Sequence, residues 1–270
     1  MRRYPQLMPT HQITSRSNPL IRELARLHKS RDRRATGRFL IEGAREVDRA
    51  SAAGVSIERL LLVPEWLSGP RRDLAERLGE RIEITELGES AFRALSRRQG
   101  PDGILAVARQ PERDLTDLDL SSTSMILVAE AIEKPGNLGA MLRTADGSGA
   151  DAVVVADPVS DLENPNVIRA SQGSVFSVPA AVSSTRDAID FLAANDVQLI
   201  AITPEGSNAI WDVDLTGPVA IAVGSERSGL SEAMRDAGIG ARIPMAGSAD
   251  SLNASVATAL ALYEAVRQRA

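Results

Sequence analysis

Two polar side chains near the middle of the chain have a spacing that suits chemistry on an anionic ligand. Asn137 and Arg143 lie six residues apart, after an apolar run at residues 125–129. A guanidinium can grip a phosphate or carboxylate with two parallel hydrogen bonds. The nearby glycines match neither G-x-G-x-x-G nor an acidic residue followed by G-x-G-x-G, so this is not an ordinary dinucleotide fingerprint. A plain surface arginine is the alternative for Arg143.

Two further polar stretches follow later in the chain. Residues 224–230 read GSERSGL, with Glu226 between two glycines that can bring backbone N–H groups to a ligand. Residues 244–253 form a Gly/Ser/Ala loop that carries Ser251 and Asn253 towards a helix. The alternative for these two side chains is helix capping. Together the stretches predict one pocket lined mostly by main chain.

The elements that must position these residues alternate between apolar strands and helices. Strands rich in Val, Ile and Ala, with helices between them, indicate a mainly parallel sheet covered on both faces. Ligands bind at the carboxyl ends of strands in such sheets. The predicted strands are residues 125–129, 152–155, 199–202, 219–223 and 242–245, and the predicted helices are residues 138–147, 166–172, 185–194 and 231–237.

The last thirty residues predict a long helix with its first turn at residues 251–253. Leu252, Val256 and Tyr263 belong to an apolar stripe with helical period. Asp250 or Ser251 is the expected N-terminal cap, since a polar residue ahead of an apolar-periodic run marks a helix start.

The first half of the chain reads as a smaller α/β domain. We expect a flexible tail at residues 1–15, a domain at 16–109, a linker at 110–123 and a second domain at 124–270. Residues 1–50 hold twelve Lys/Arg and five Asp/Glu, a net charge of +7, whereas the other 220 residues sum to −12. A basic end on an acidic body predicts an anionic partner, commonly nucleic acid. A solvated basic tail is the alternative.

Composition excludes several classes of site. The chain has no cysteine, which removes disulfides and thiolate chemistry, and only two histidines, which makes a catalytic triad or a histidine metal site a poor hypothesis. We therefore expect no metal. No apolar run approaches the ~18 residues of a membrane span, and the first residues do not form a signal peptide. The expectation is a cytoplasmic protein.

The three motifs, taken in order, resemble the signature motifs of the TrmH/SpoU class of RNA 2′-O-ribose methyltransferases, in the SPOUT superfamily. They are N-x-G-x-x-x-R from Asn137, GSERSGL from Gly224, and IPM-x-G-x-x-x-SLN-x-S from Ile243. More weakly, FLIEG at residues 39–43 and residues 99–107 resemble the ribosomal-protein-L30e-like RNA-recognition domain that precedes many such enzymes.

The resemblance implies an α/β catalytic domain with a mainly parallel sheet and a deep trefoil knot. A smaller L30e-like domain precedes it in the chain. It also implies S-adenosylmethionine as cofactor, RNA as substrate, and a homodimer with its active site at the interface. By position, the cofactor contacts are Thr203, Gly224, Ile243, Met245, Leu252 and Ala254; the catalytic positions are Asn137, Arg143, Glu226, Ser251 and Asn253. In the basic segment we expect RNA contacts from Arg31, Arg33, Arg34 and Arg38.

The chemistry implied is attack by a ribose 2′-hydroxyl on a sulfonium methyl. Because an arginine is almost never deprotonated, we assign Arg143 to electrostatic stabilisation and phosphate positioning, and leave the proton acceptor open. Ribosomal RNA (23S) is the expected substrate, and transfer RNA is an alternative. Methylation of a base nitrogen and a non-catalytic RNA-binding role are the other readings.

Overall fold

The chain divides into two compact units in a computed structural model that describes residues 11–270. The first unit is the chain up to Pro111 together with Glu163–Arg169, and the second is Glu112–Leu162 together with Ala170–Ala270. Each unit has its own sheet and its own hydrophobic core.

In the described residues, the first unit has a five-stranded mixed sheet in the order β1-β4-β3-β5-β2. Only β5 runs antiparallel to its neighbours. Apolar side chains of the sheet and of two helices form the core below it. The elements are β1 (His11–Ile13), α1 (Pro19–Arg26), α2 (Ser30–Thr36), β2 (Arg38–Glu42), α3 (Ala44–Ala52), β3 (Ile57–Leu62), α4 (Pro70–Gly79), β4 (Glu83–Leu87), α5 (Glu89–Leu95) and β5 (Ile104–Arg109).

The predicted tail at residues 1–15 falls mostly outside the described residues. Its described end differs from the prediction, because His11–Ile13 form β1 and pair in parallel with β4. Ile13 lies opposite Leu87 and packs against the core of the unit. Residues predicted as part of a flexible tail therefore form the edge strand of the sheet.

Most of the basic segment that carries the predicted RNA contacts is helical, and this changes one of those contacts. Ser30–Thr36 form α2, which ends at Gly37 in the left-handed conformation (φ 63°). Arg33 is only 1% exposed and donates from a guanidinium nitrogen to the carbonyl oxygen of Leu27 at 2.9 Å. The prediction that Arg33 contacts RNA is therefore wrong for this fold. Its guanidinium is buried inside the unit, where it binds a backbone carbonyl oxygen just after the end of α1.

The other three predicted RNA contacts remain at the surface of this unit. Arg31 and Arg34 are exposed on α2. Arg38 is half-buried and pairs with Glu58 at 2.7 Å, so part of its charge is already compensated.

His28 makes the stability of this unit depend on pH. Its Nε2 donates to the carbonyl oxygen of Leu95 at 2.9 Å, and its Nδ1 has no hydrogen-bond partner among the described residues. Burial, reinforced by the charge of Arg97, lowers the pKa of His28 from 6.5 to about 4. Below pH 6.5 the unfolded chain therefore gains a proton that the folded unit does not accept, and stability falls until about pH 4.

We expect His28→Gln to reduce this acid sensitivity. The amide can keep the hydrogen bond to Leu95 but does not titrate. Wild type should lose roughly 2 kcal/mol more than the variant between pH 7.5 and 4.5, a value discounted for the partial exposure of the ring. Urea unfolding at both pH values measures the difference. An equal loss in both proteins would contradict the assignment to His28.

The remaining elements build the second unit, whose seven-stranded sheet has the order β10-β12-β9-β11-β6-β7-β8. All neighbouring strands are parallel, which confirms the predicted sheet. The remaining elements are β6 (Met125–Glu130), α6 (Pro135–Ser148), β7 (Ala152–Ala156), α7 (Pro165–Ala170), α8 (Ser174–Ser177), β8 (Ala180–Ser183), α9 (Thr185–Ala194), β9 (Gln198–Ile202), β10 (Asn208–Ala209), β11 (Val219–Val223), α10 (Glu232–Ala237), β12 (Ile239–Arg242) and α11 (Ala254–Arg269). Helix α7 is the exception among them, because its residues up to Arg169 belong to the first unit.

The segment predicted as a linker packs on the second unit. Leu115–Asp117 form a 3₁₀ helix, and Leu115, Leu118 and Leu120 contact the core of this unit. The alternation of Asp and Leu therefore places leucines inwards and carboxylates outwards.

The last strand lies earlier than predicted. The sequence indicated residues 242–245, but β12 spans Ile239–Arg242 and pairs with β9 and β10. Ile243 and Met245 flank Pro244, which has no N–H to give to a ladder. The apolar run thus leaves the sheet instead of continuing it.

The final helix begins later than predicted and is capped by a different residue. α11 starts at Ala254, and the side chain of Asn253 accepts from the N–H of Ser255 at 3.0 Å. Neither Asp250 nor Ser251 is the cap. The chain from β12 to Asn253 is thereby left as an extended loop.

The face of α11 that packs inwards consists of small residues and Leu262. Ala254, Thr258 and Ala261 are buried, and the helix packs against α6, β6 and β11. By contrast the apolar stripe seen in the sequence is exposed in the single chain, where Val256 is 46%, Leu260 47% and Tyr263 51% exposed.

Candidate functional site

The loops after three neighbouring strands enclose one large cavity of the second unit. It has a volume of about 1110 Å³, and ligand cavities of roughly 300–1,000 Å³ hold drug-sized molecules. Its walls follow β9, β11 and β12, which are adjacent in the sheet in the order β12-β9-β11. The cavity thus lies where a parallel sheet is expected to bind a ligand.

The structure brings most of the predicted site residues to this cavity. All six predicted cofactor positions line it: Thr203, Gly224, Ile243, Met245, Leu252 and Ala254. Of the five predicted catalytic residues, three line it: Glu226, Ser251 and Asn253.

Close backbone approach shapes two of the loops. A Cβ on Gly224 would overlap the backbone of Gly229 and Leu230. A Cβ on Gly206 would lie 2.5 Å from the backbone carbon of Ala241. These glycines keep the loops thin, so that main-chain groups face the cavity.

The loop after β11 is folded by its own polar groups. The N–H of Gly229 donates to the carbonyl oxygen of Ser225 at 2.9 Å, and the N–H of Ser228 donates to Ser225 Oγ at 3.2 Å. Gly229 adopts a φ of 64°. This turn holds the exposed Glu226 at the cavity wall.

A buried carboxylate that sequence reasoning missed anchors the far end of the same loop. Glu130 ends β6 and is 3% exposed. It accepts from the hydroxyl of Thr185 at 2.6 Å and from the N–H and hydroxyl of Ser231 at 2.8 and 2.7 Å. The sequence does carry a signal for this role, because an acidic residue at the end of an otherwise apolar strand is expected to be buried and to need hydrogen-bond partners.

A row of side-chain hydrogen bonds joins the three motifs. The amide nitrogen of Asn137 donates to Glu226 Oε1, and the amide nitrogen of Asn253 donates to Asn137 Oδ1 at 3.3 Å. Asn253 Oδ1 accepts in turn from the N–H and hydroxyl of Ser255. Residues separated by more than a hundred positions therefore meet at the cavity wall.

Arg143 does not lie with the others in its own chain. It is exposed on α6, six residues beyond Asn137, and is not among the residues that line the cavity. The structure thus separates the predicted cation from the cavity of its own chain.

Two arginines at the wall support loops. Arg235 donates to the carbonyl oxygen of Leu230 at 2.6 Å, and Arg242 donates to that of Gly206 at 2.7 Å. The hydroxyl of Thr203 donates to Glu205 and lowers the pKa of that carboxyl.

S-Adenosylmethionine fits the character of this cavity. The thin glycine loops leave backbone groups free to bind the polar parts of an adenosine, and the cavity volume accommodates a cofactor of this size. In the described part of the chain, no cluster of His, Cys, Asp or Glu could hold a metal ion. None of the described helices is long and apolar enough to cross a membrane.

Comparisons with known proteins agree with this geometry. The SpoU rRNA Methylase family matches residues 124–263, and the MRM3-like substrate binding domain matches residues 18–106. A crystal structure of an RNA 2′-O ribose methyltransferase is 46% identical, with 96% of this chain and 99% of that chain covered and a TM-score of 0.85. The AdoMet-bound rRNA methyltransferase of Sinorhizobium meliloti is 32% identical, with coverage of 95% and 97% and a TM-score of 0.86.

A curated relative matches at similar length. The 23S rRNA (guanosine(2553)-2′-O)-methyltransferase RlmP of Bacillus subtilis (strain 168) is 30% identical over 253 residues, which is 93% of this chain and 98% of that protein. The family predicted from three motifs is therefore confirmed. The expectation of a methyltransferase domain that follows a substrate-binding domain in the chain is confirmed with it. The chain belongs to the SpoU rRNA methylase family.

Proposed function

We propose that the protein transfers the methyl group of S-adenosylmethionine to a ribose 2′-hydroxyl of 23S ribosomal RNA. The observation that carries this function is the row from Asn253 through Asn137 to Glu226 on the wall of a backbone-lined cavity. The relatives named for 2′-O-methylation of RNA support the reaction, and the Bacillus subtilis relative supports 23S rRNA.

The residues of the chain bind and align the reactants. Thr203, Gly224, Ile243, Met245, Leu252 and Ala254 would hold the cofactor. The cofactor supplies an electrophilic methyl on a sulfonium, whose positive charge disappears as the methyl leaves. The charged side chains of the wall, four Lys/Arg and three Asp/Glu, nearly cancel, and a wall of small net charge suits that change. Ser251 and Asn253 would orient the ribose, and alignment of the oxygen with the methyl supplies much of the rate.

We place the complete site at the interface of a homodimer. Arg143 is exposed outside its own cavity, on a helix that packs against α11. The exposed stripe of Val256, Leu260 and Tyr263 lies on α11, and the Tyr263 hydroxyl donates to the carbonyl oxygen of Gly147 at 3.2 Å. A second copy that covers this stripe would bring Arg143 to the partner's cavity.

Two further proposals concern the fold of the second unit and the RNA contacts of the first unit. We expect the chain through the cavity loops and α11 to form the trefoil knot that the family resemblance implies. We assign RNA binding in the first unit to the exposed Arg31 and Arg34, with a smaller part for Arg38. The cytoplasmic location stays a prediction.

Methyl transfer to defined RNA tests the function. The protein is incubated with methyl-labelled S-adenosylmethionine and ribosomal RNA from a related host that lacks the gene, with transfer RNA in a parallel reaction. Label on one 2′-oxygen of 23S rRNA is expected. Label only on transfer RNA would move the substrate, and label on a base would contradict the reaction. Cofactor binding without label on free RNA or on ribosomal precursor particles would favour a non-catalytic role.

A further inference from the structure

The structure leaves open which group takes the proton of the 2′-hydroxyl, and one carboxylate meets the requirements. We propose that Glu226 is the general base of the reaction. This inference rests on the proposed function, since it assigns a step of that methyl transfer.

Both ends of the hydrogen-bonded row fix its direction. The backbone N–H of Ser255 can only donate, so the group of Asn253 that faces it is Oδ1. The carboxylate of Glu226 accepts, so the group of Asn137 that faces it is the amide nitrogen. The middle bond, from the Asn253 nitrogen to Asn137 Oδ1 at 3.3 Å, then matches donor to acceptor. Every donor in the row points towards Glu226.

The row occupies one oxygen of Glu226 and leaves the other available. Asn137 binds Oε1, and no described residue donates to Oε2. The side chain is exposed at the cavity wall. A proton that arrives at Oε2 breaks no bond of the row, because Oε1 still accepts from Asn137 as a carbonyl oxygen. The site therefore holds the carboxyl group in place both before and after proton transfer.

The other titratable groups of the wall are less suited. Lys134, Arg227, Arg235 and Arg242 line the cavity as cations and have no lone pair to accept a proton. Glu205 already accepts from the hydroxyl of Thr203 beside it. Asp250 lies on the loop before α11 and makes no bond to Asn137 or Asn253. Among the described residues of the wall, only Glu226 has both a carboxylate oxygen without a donor and hydrogen bonds that link it to the other two motifs.

The step balances without any other reactant. The 2′-oxygen forms a bond to the methyl carbon, and the bond from that carbon to sulfur breaks with its electron pair left on sulfur. The sulfonium becomes a neutral thioether. The proton of the 2′-hydroxyl passes to Glu226 Oε2, and the resulting carboxylic acid returns it to solvent before the next turnover.

Glu226→Gln separates the chemical role from the structural one. The amide keeps the shape and can still accept from Asn137, but it cannot take up the proton. In single-turnover reactions with saturating cofactor and RNA, we expect the rate to fall by about 10²–10⁴-fold, the usual contribution of a general base. Calorimetry should give a cofactor Kd within about twofold of wild type. Glu232→Gln, at an exposed carboxylate outside the cavity, is the matched control and should keep the wild-type rate.

Chemical rescue gives a second readout that a structural role would not move. Formate added to Glu226→Ala should restore part of the rate in proportion to its concentration, and chloride at equal ionic strength should not. A wild-type rate for Glu226→Gln overturns the proposal. So does a slow Glu226→Gln with cofactor affinity lost to the same extent and no rescue of Glu226→Ala. Failure of wild type to label any RNA instead overturns the proposed function, and the inference with it.

Discussion

Replacing Arg143 with alanine is expected to abolish most methyl transfer while leaving cofactor binding intact. The single-turnover rate should fall by about 10²–10³-fold, the loss typical of removing one donor that stabilises developing negative charge. The rate falls because Arg143 would supply its charge to the partner's cavity, and cofactor binding stays because the six proposed cofactor positions are unchanged. Rapid-quench methylation and calorimetry measure the two quantities.

A matched control and a mixing experiment make this prediction specific. Arg186→Ala removes another exposed arginine of the second unit, one that pairs only with Asp190, and should keep the wild-type rate. Mixed dimers of Arg143→Ala and Glu226→Gln subunits should regain activity, because one of the two interface sites then holds both native side chains. Absence of any recovery in verified mixed dimers would place the site within a single chain.

Gly224→Ala is expected to abolish cofactor binding in a protein that still folds. The added Cβ would overlap the backbone of Gly229 and Leu230, and backbone cannot rotate away as a side chain can. Displacing the loop should cost about 3 kcal/mol or more, equivalent to at least a ~10²-fold weaker Kd.

Gly217→Ala is the control for this substitution. It adds the same methyl group where no atom lies within 4 Å, and it should bind the cofactor with wild-type affinity. Calorimetry gives both Kd values, and circular dichroism confirms that both variants are folded. Wild-type affinity for Gly224→Ala would mean that the loop after β11 does not contact the cofactor.

The sheet and its motifs were the part of the structure most open to sequence reasoning. β11 was predicted at its observed bounds, Val219–Val223, because a continuous apolar run between turn residues is typical of a buried parallel strand. α9 was likewise predicted at Thr185–Ala194, where Ser184 supplies the cap. Short strands such as β8 and β10 carry too little pattern to be recognised alone.

What the sequence did not reveal depends on contacts between distant segments. Glu130 and Ser231 are a hundred residues apart, and only the fold shows that one anchors the other. Arg33 has the same charge as Arg34 beside it, yet Arg33 is buried, where it donates to the carbonyl oxygen of Leu27, and Arg34 is exposed. Similarly, Ile243 was predicted as part of a strand, but the chain leaves the sheet before Pro244.

The order of the cavity walls along the chain has a consequence for biosynthesis. Asn137 and Gly224 emerge from the ribosome before the loop from Ile243 to Asn253, and that loop is fixed only when α11 packs on α6. Because α11 follows every other wall of the cavity in the chain, the cofactor site is incomplete until α11 has left the exit tunnel. Most of the first unit, the chain up to Pro111, precedes all of them and can fold earlier. A nascent chain would therefore fold most of its first unit before its cofactor site is complete.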